Sequence, residues 1–237
     1  MENCPKSQRS RLQSLRGFRK KNQPSLIMSK PGNVRTFICV ELPDVVHSQL
    51  ANLQCILKKF GADVGWVKPS NIHLTLKFLG DVPEQKITEV CSAVENSAIK
   101  VSPFELLVKG TGCFPSARNP RVIWVGINPF PGELRQLQKL IDGELFTKGY
   151  SREDRPFSPH LTLGRVRSPH NVQALVRKME EMNFQGETIW VKEVTVMRSD
   201  LRPTGAQYAS IRVYQLKGGK EDTAGSSNAR NDDVGVS

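Results

Sequence analysis

No run of 18 or more apolar residues occurs, so no membrane-spanning helix is expected. Cysteines are few and scattered: Cys4, Cys39, Cys55, Cys91 and Cys113 form no CxxC pair. That pattern speaks against a disulfide scaffold and a structural zinc site, and it fits reduced thiols in a cytosol. Neither HExxH nor GxSxG is present, so zinc-protease and α/β-hydrolase chemistry have no footing. Hydrophobic residues make up 38%, charged residues 24% and aromatics 7%, which excludes collagen-like and wholly disordered readings. What remains is a globular chain of 237 residues, long enough to bury a substantial core in one large domain or two small ones.

Acids are scarce at one end. Residues 1–33 hold eight Lys/Arg and one acid, whereas residues 217–237 hold three Lys/Arg and four acids. The body, 34–216, carries 23 bases and 18 acids, so most of the net charge of +11 comes from the N-terminal arm. A mildly basic body suits a small anionic ligand at least as well as a long nucleic-acid groove. The arm lacks the apolar stretch of a secretory signal and reads as a basic disordered extension. The Gly/Ser/Asp-rich tail, 217–237, reads as disordered too.

Between them strand and helix patterns alternate. RTFICVEL (35–42) is β-rich, and Asp44 is placed to cap a helix with Val46, Leu50, Leu53, Leu57 and Phe60 on one stripe. DVGWV and HLTLKFL read as strands, followed by a helix from about Pro83 with Ile87, Val90, Cys91 and Val94 inward. FELLVKGTGCF and RVIWVGI flank a turn and read as a hairpin. Leu134, Leu137, Ile141 and Leu145 mark a third helix, and HLTLGRV (160–166) a strand. Ser168 and Pro169 suit the N-cap and first position of a fourth helix, with Val172, Leu175, Val176, Met179 and Met182 inward. TIWVKEVTVMRS and AQYASIRVYQL read as two closing strands. The expectation is an α+β fold of two successive, duplicated halves. Each half forms an antiparallel sheet with two helices on its outer face, and a cleft lies between the two open sheet faces.

The tetrapeptide His-Leu-Thr-Leu occurs twice, at 73–76 and 160–163, in a chain with four histidines. Side chains alternate along a strand, so His73 and Thr75 share one face while Leu74 and Leu76 anchor the other; His160 and Thr162 repeat this. A single such motif is usually a surface or satisfied core pair. Two copies in matching places make a site. A zinc site wants a third protein ligand, and His47 and His170 lie on a helix and at a helix start, so no metal and no cofactor is expected. Two histidines without metal fit paired acid–base catalysis on a phosphodiester, one taking a proton from the attacking oxygen and the other giving one to the leaving oxygen. The threonine hydroxyls can hydrogen-bond the phosphate oxygens as charge develops.

On these motifs the chain resembles the 2H phosphoesterase superfamily, whose signature is two HxT[hydrophobic] motifs in a pseudo-symmetric fold. Within it, the chain is similar to the RNA 2′,3′-cyclic phosphodiesterases, long called 2′-5′ RNA ligases. The similarity runs from about Arg35 to Leu216, through RTFICVELP, WVKPSNIHLTLKFLG, FPSARNPRVIWVGI, RPFSPHLTLGRV and VMRSDLRPTGAQY. The resemblance implies that His73 is the proton donor to the leaving 3′-oxygen, that His160 is the proton acceptor activating water, and that Thr75 and Thr162 bind the phosphate. It also implies a substrate-binding role for Arg165. An odd step from His160 puts Arg165 on the opposite face by alternation, so a twist, a bulge near Gly164 or a strand end must bring it round. The implied substrates are RNA with 2′,3′-cyclic phosphate ends or small cyclic nucleotides, and the product a 2′-phosphomonoester. The protein is expected to be a cytoplasmic monomer, not membrane-bound. Ligation by the same site run in reverse, and a non-catalytic RNA-end binding module, stay open as rivals.

Other residues carry two readings each. Phe114 and Tyr208 either stack on a base or fill core. Arg198 either contacts phosphate or pairs with an acid. Lys77 shares the His73 face by alternation, next to the cleft or at the surface. Trp66, Trp124 and Trp190 read as core.

Overall fold

Among the described residues four α-helices each bury one stripe. In the computed structural model, which describes residues 32–203 and 205–218, α1 (Asp44–Lys58) buries Val46, Leu50, Leu53 and Leu57, and α2 (Ile87–Ala98) buries Val90, Cys91 and Val94. α3 (Gly132–Thr147) buries Leu134, Leu137, Ile141 and Leu145, and α4 (Val172–Met182) buries Val172, Leu175, Val176 and Met179. The expected disorder of the arm and tail falls almost wholly outside the described residues. Asp44 is the first residue of α1, not its cap. α4 starts three residues later than Pro169 implies. Asn171, with φ 54, precedes it, and no side chain caps it. Asn tolerates this left-handed turn, which displaces the Ser-Pro start.

The strands are β1 (Asn33–Val40), β2 (Val64–Trp66), β3 (Leu74–Pro83), β4 (Phe104–Ser116), β5 (Asn119–Ile127), β6 (His160–Val166), β7 (Gln185–Val191), β8 (Glu193–Arg202) and β9 (Gly205–Gln215). They run in the order β7-β4-β5-β6-β3-β1-β8-β9, with β2 beside β6. The order reads alike outward from its centre: β6-β5-β4-β7 on one side and β3-β1-β8-β9 on the other. The two HLTL strands are the inner pair, joined at Leu74 and Leu161. Two four-stranded lobes therefore meet along the motifs.

The lobes are not successive halves of the chain. α2 packs on β8 and β9, and α3 on β3, whereas α1 packs on β7 and α4 on β4. Each lobe thus carries two helices, but α1 and α3 have crossed over from the strands that precede them. The run TIWVKEVTVMRS, read as one strand, is two. β7 pairs with β4 and β8 pairs with β1, so the chain changes lobe at Lys192. Trp190 sits beside this crossing and is 62% exposed, not core.

Candidate active site

Leu74, Leu76, Leu161 and Leu163 are all buried, so each motif is pinned from behind as alternation requires. The antiparallel match of Leu74 with Leu161 sets His73 across from Thr162, and Thr75 across from His160. The two imidazoles stand on the diagonal, roughly 7–8 Å apart at their backbones. A gap of that size admits one phosphate between two rings.

Both rings are held by the same device. The Nδ1–H of His73 donates to the Asn71 carbonyl at 2.9 Å, and that of His160 to the Ser158 carbonyl at 2.8 Å. A carbonyl only accepts, so Nδ1 carries the proton and Nε2 is left for chemistry. Asn71 is itself fixed, its Nδ2 donating to the Ala206 carbonyl at 2.8 Å. Aromatic rings hold each imidazole from the sides. His73 stacks on Phe37 (centroids 4.6 Å apart) and meets the edge of Tyr208 at 5.3 Å. His160 meets Phe114 edge-to-face at 4.9 Å, with Trp124 at 6.4 Å. Phe114 and Tyr208 thus pack on the histidines themselves; Tyr208 also packs on the buried cluster of Phe37, Cys39 and Met197, and each ring lines the space beside its histidine.

A bulge follows each motif. In β3, Thr75, Lys77 and Phe78 oppose Cys39, Ile38 and Phe37, so Leu76 is the extra residue. In β6, Thr162, Gly164 and Arg165 oppose Trp124, Ile123 and Val122, so Leu163 is extra. An extra residue reverses alternation from that point on. Arg165 therefore returns to the face of Thr162, where it lines one cavity with His73, Thr75 and Thr162. The same reversal takes Lys77 off that face. Its Nζ is buried against Asp142 Oδ1 and donates to the Ser151 carbonyl at 2.8 Å. Phe78 takes the cleft position instead. Alternation counted through the bulge misses it; the matching place of Arg165 in the other copy is the signal that finds it.

The cavity at His73 encloses about 340 Å³, walled also by Arg35, Phe37 and Tyr208. His160 lines an adjoining groove of about 820 Å³ with Phe114, Phe157, Arg121 and Arg155. Thr75 and Phe78 belong to both spaces. The rings thus face the two ends of a connected cleft.

Burial is the main cause that pushes both histidines below the usual imidazole range, against the pull of their carbonyl partners; His47 adds to it at His73 and Arg165 at His160. Burial thus favours the neutral form of both rings in the free protein, and a bound phosphate anion would draw a proton back onto one of them. Arg198 pairs with Asp200 (Nε to Oδ1, 2.9 Å). His47 is turned to the Ile72 carbonyl, 3.1 Å from its Nε2. Among the described residues no three His, Cys, Asp or Glu side chains gather in one place.

A family model described as LigT-like phosphoesterase matches residues 40–124 and 125–208, one match for each HLTL copy. An RNA 2′,3′-cyclic phosphodiesterase of Methanothermobacter thermautotrophicus is 36% identical over 184 residues, covering 77% of this chain and 99% of that one. One from Thermotoga maritima is 34% identical over 187 residues, covering 78% and 97%. Among solved structures, a Thermus thermophilus protein superposes with a TM-score of 0.65 at 26% identity, covering 78% of this chain and 98% of its own. Escherichia coli LigT, solved with 3′-AMP, gives 0.64 at 24% identity over the same shares, a likeness of fold.

Proposed function

This chain is a member of the LigT-like phosphoesterase family, and on that premise we propose that it hydrolyses 2′,3′-cyclic phosphate ends of RNA to 2′-phosphomonoesters by metal-independent acid–base catalysis. The observation that carries the reading is the pair of Nε2 edges freed by identical carbonyl contacts on Nδ1, set diagonally around two threonines. His160 takes the proton of the attacking water. The water oxygen bonds to phosphorus as the P–O3′ bond breaks, and His73, which takes up a proton at Nε2 when the phosphate anion binds, hands that proton to O3′. Thr75, Thr162 and Arg165 hold the non-bridging oxygens, where charge accumulates. The catalytic unit is residues 34–216. It works as a monomer in the cytoplasm, and small cyclic nucleotides enter the same site.

A second reading is favoured by the groove beside His160. Its volume of about 820 Å³ far exceeds the ~30 Å³ share of one water. A 5′-hydroxyl of a second RNA fits there as nucleophile, and the same displacement then makes a 2′-5′ linkage. One incubation with an RNA bearing a cyclic end, with and without a 5′-hydroxyl partner strand, tests both readings. The hydrolytic product expected is the 2′-phosphate only, formed equally with a chelator present. A 3′-phosphate, or strict dependence on added Zn²⁺ or Mg²⁺, overturns the scheme. A joined product appearing at the expense of the 2′-phosphate moves the reading to ligation.

A further inference from the structure

Trp190 is the most exposed large apolar side chain among the described residues, at 62%. An exposed indole beside other apolar surface marks a contact waiting for a partner. Trp190 meets no other aromatic ring and no cation among the described residues. With Val45, 49% exposed, it lines a groove of about 460 Å³ between β7 and the start of α1. Glu41, Glu187 and Glu193 line the same groove against one cation, Lys192, and Glu105 stands directly across from Trp190 in β4. None of these four carboxylates forms an ion pair among the described residues. The groove is thus an acidic patch on a body whose bases outnumber its acids, 23 to 18.

Charge selects the occupant. Carboxylates repel an RNA backbone, and a second copy seated face to face would set them against each other. An open indole face beside carboxylates instead suits Arg and Lys, through cation–π contact with the ring and ion pairs with the rim. The sequence holds such a partner. Residues 9–21, RSRLQSLRGFRKK, contain six Lys/Arg and no acid, with Leu12, Leu15 and Phe18 between them. The reach is sufficient. From Phe18 to Asn33 an extended chain spans up to roughly 50 Å, and β1, which separates Asn33 from Glu41, is roughly 27 Å long. We propose that residues 9–21 of the N-terminal arm dock in the Trp190 groove. Leu12, Leu15 and Phe18 meet its apolar wall, and the bases meet Glu41, Glu105, Glu187 and Glu193. The groove shares no residue with the two spaces around the HLTL motifs, so this contact stands apart from the phosphodiesterase reading.

The test is made on the purified full chain with photoreactive p-benzoylphenylalanine in place of Trp190. After irradiation, peptide mass spectrometry locates the adducts. The expected adduct is intramolecular and falls within residues 9–21. It should be lost in 1 M salt, where the screening length falls to about 3 Å, and also when Arg9→Gln, Arg11→Gln, Arg16→Gln and Arg19→Gln are combined. Acrylamide, a neutral quencher, reads the same contact without a cross-linker. The quenching that belongs to Trp190, taken as wild type against Trp190→Phe, should increase in the combined Gln variant as the ring is uncovered. Adducts confined to the body, a cross-link between two copies, or an adduct indifferent to salt or to the Gln substitutions overturn the proposal. Trp190 quenching that stays the same in the combined variant overturns it as well.

Discussion

The two HLTL copies are alike through Thr and in the bulge beyond it, and then differ where it matters. Each histidine donates Nδ1–H to the carbonyl two residues before it, each is walled by a pair of aromatic rings, and each strand bulges one residue after its threonine. After the bulge one copy continues Lys77-Phe78 and the other Gly164-Arg165. A symmetric frame can bring two imidazoles to one phosphorus, but a displacement has a direction. The asymmetric residues are where nucleophile side, leaving side and substrate shape are told apart.

The largest effect comes from the shared part. His73→Ala and His160→Ala should each lower kcat by about 10²–10⁴, and the double variant by little more than either one, because the two act as a unit. To break the symmetry, a cyclic-end substrate is compared with an aryl phosphodiester whose leaving group needs no proton. His73→Ala should recover most of its loss on the aryl ester, and His160→Ala none. Recovery by the other variant reverses the donor and acceptor roles. Loss of neither rate on the natural-type substrate removes both histidines from catalysis.

Much of this is legible in the residues. The stripes Val46-Leu50-Leu53-Leu57 and Leu134-Leu137-Ile141-Leu145 are buried helix faces as their spacing predicts, because a 3.6-residue period needs no information from elsewhere in the chain. The HLTL repeat places its leucines correctly for the same local reason. What is not legible is set at longer range. A bulge depends on the neighbouring strand, so alternation counted past Leu76 puts Lys77 in the cleft and leaves Phe78 out, and counted past Leu163 it leaves Arg165 in doubt. The split at Lys192 is hidden because β7 and β8 have the same β-rich composition and only their partners, β4 and β1, differ. The exchange of α1 and α3 between lobes is likewise invisible to periodicity, which says that a helix has a buried face and not which sheet covers it.

The residue after each bulge gives the next comparison, in stability. Lys77→Met leaves Asp142 without its cation. The side chains are 3% and 16% exposed, so the cost approaches the ~3–5 kcal/mol of a broken buried pair without reaching it, given the residual hydration of Asp142. Converting Asp142 to Leu as well should restore part of the loss. Gly164→Ala fails for a different reason. Its Cβ would fall 2.5 Å from Val64 Cγ1, an overpacking cost of about 1–3 kcal/mol. Denaturant melts of the three variants check the order. If Lys77→Met is as stable as the wild type, the buried pair does not hold that bulge.

The smallest effect separates the two sides electrically. Arg165 is one of the causes that lower the His160 imidazole, whereas its opposite number Phe78 carries no charge to act on His73. Removing the cation in Arg165→Gln lets His160 keep its proton to higher pH. A base is lost on protonation, so the acid limb of kcat/KM, which reports the free enzyme, should move toward higher pH. KM should also rise, as a phosphate contact is lost. Phe78→Leu, neutral for neutral, should leave the acid limb where it was. If the Arg165→Gln profile keeps its acid limb and only KM changes, Arg165 serves the phosphate alone, and the difference between the two lobes is one of binding and not of proton affinity.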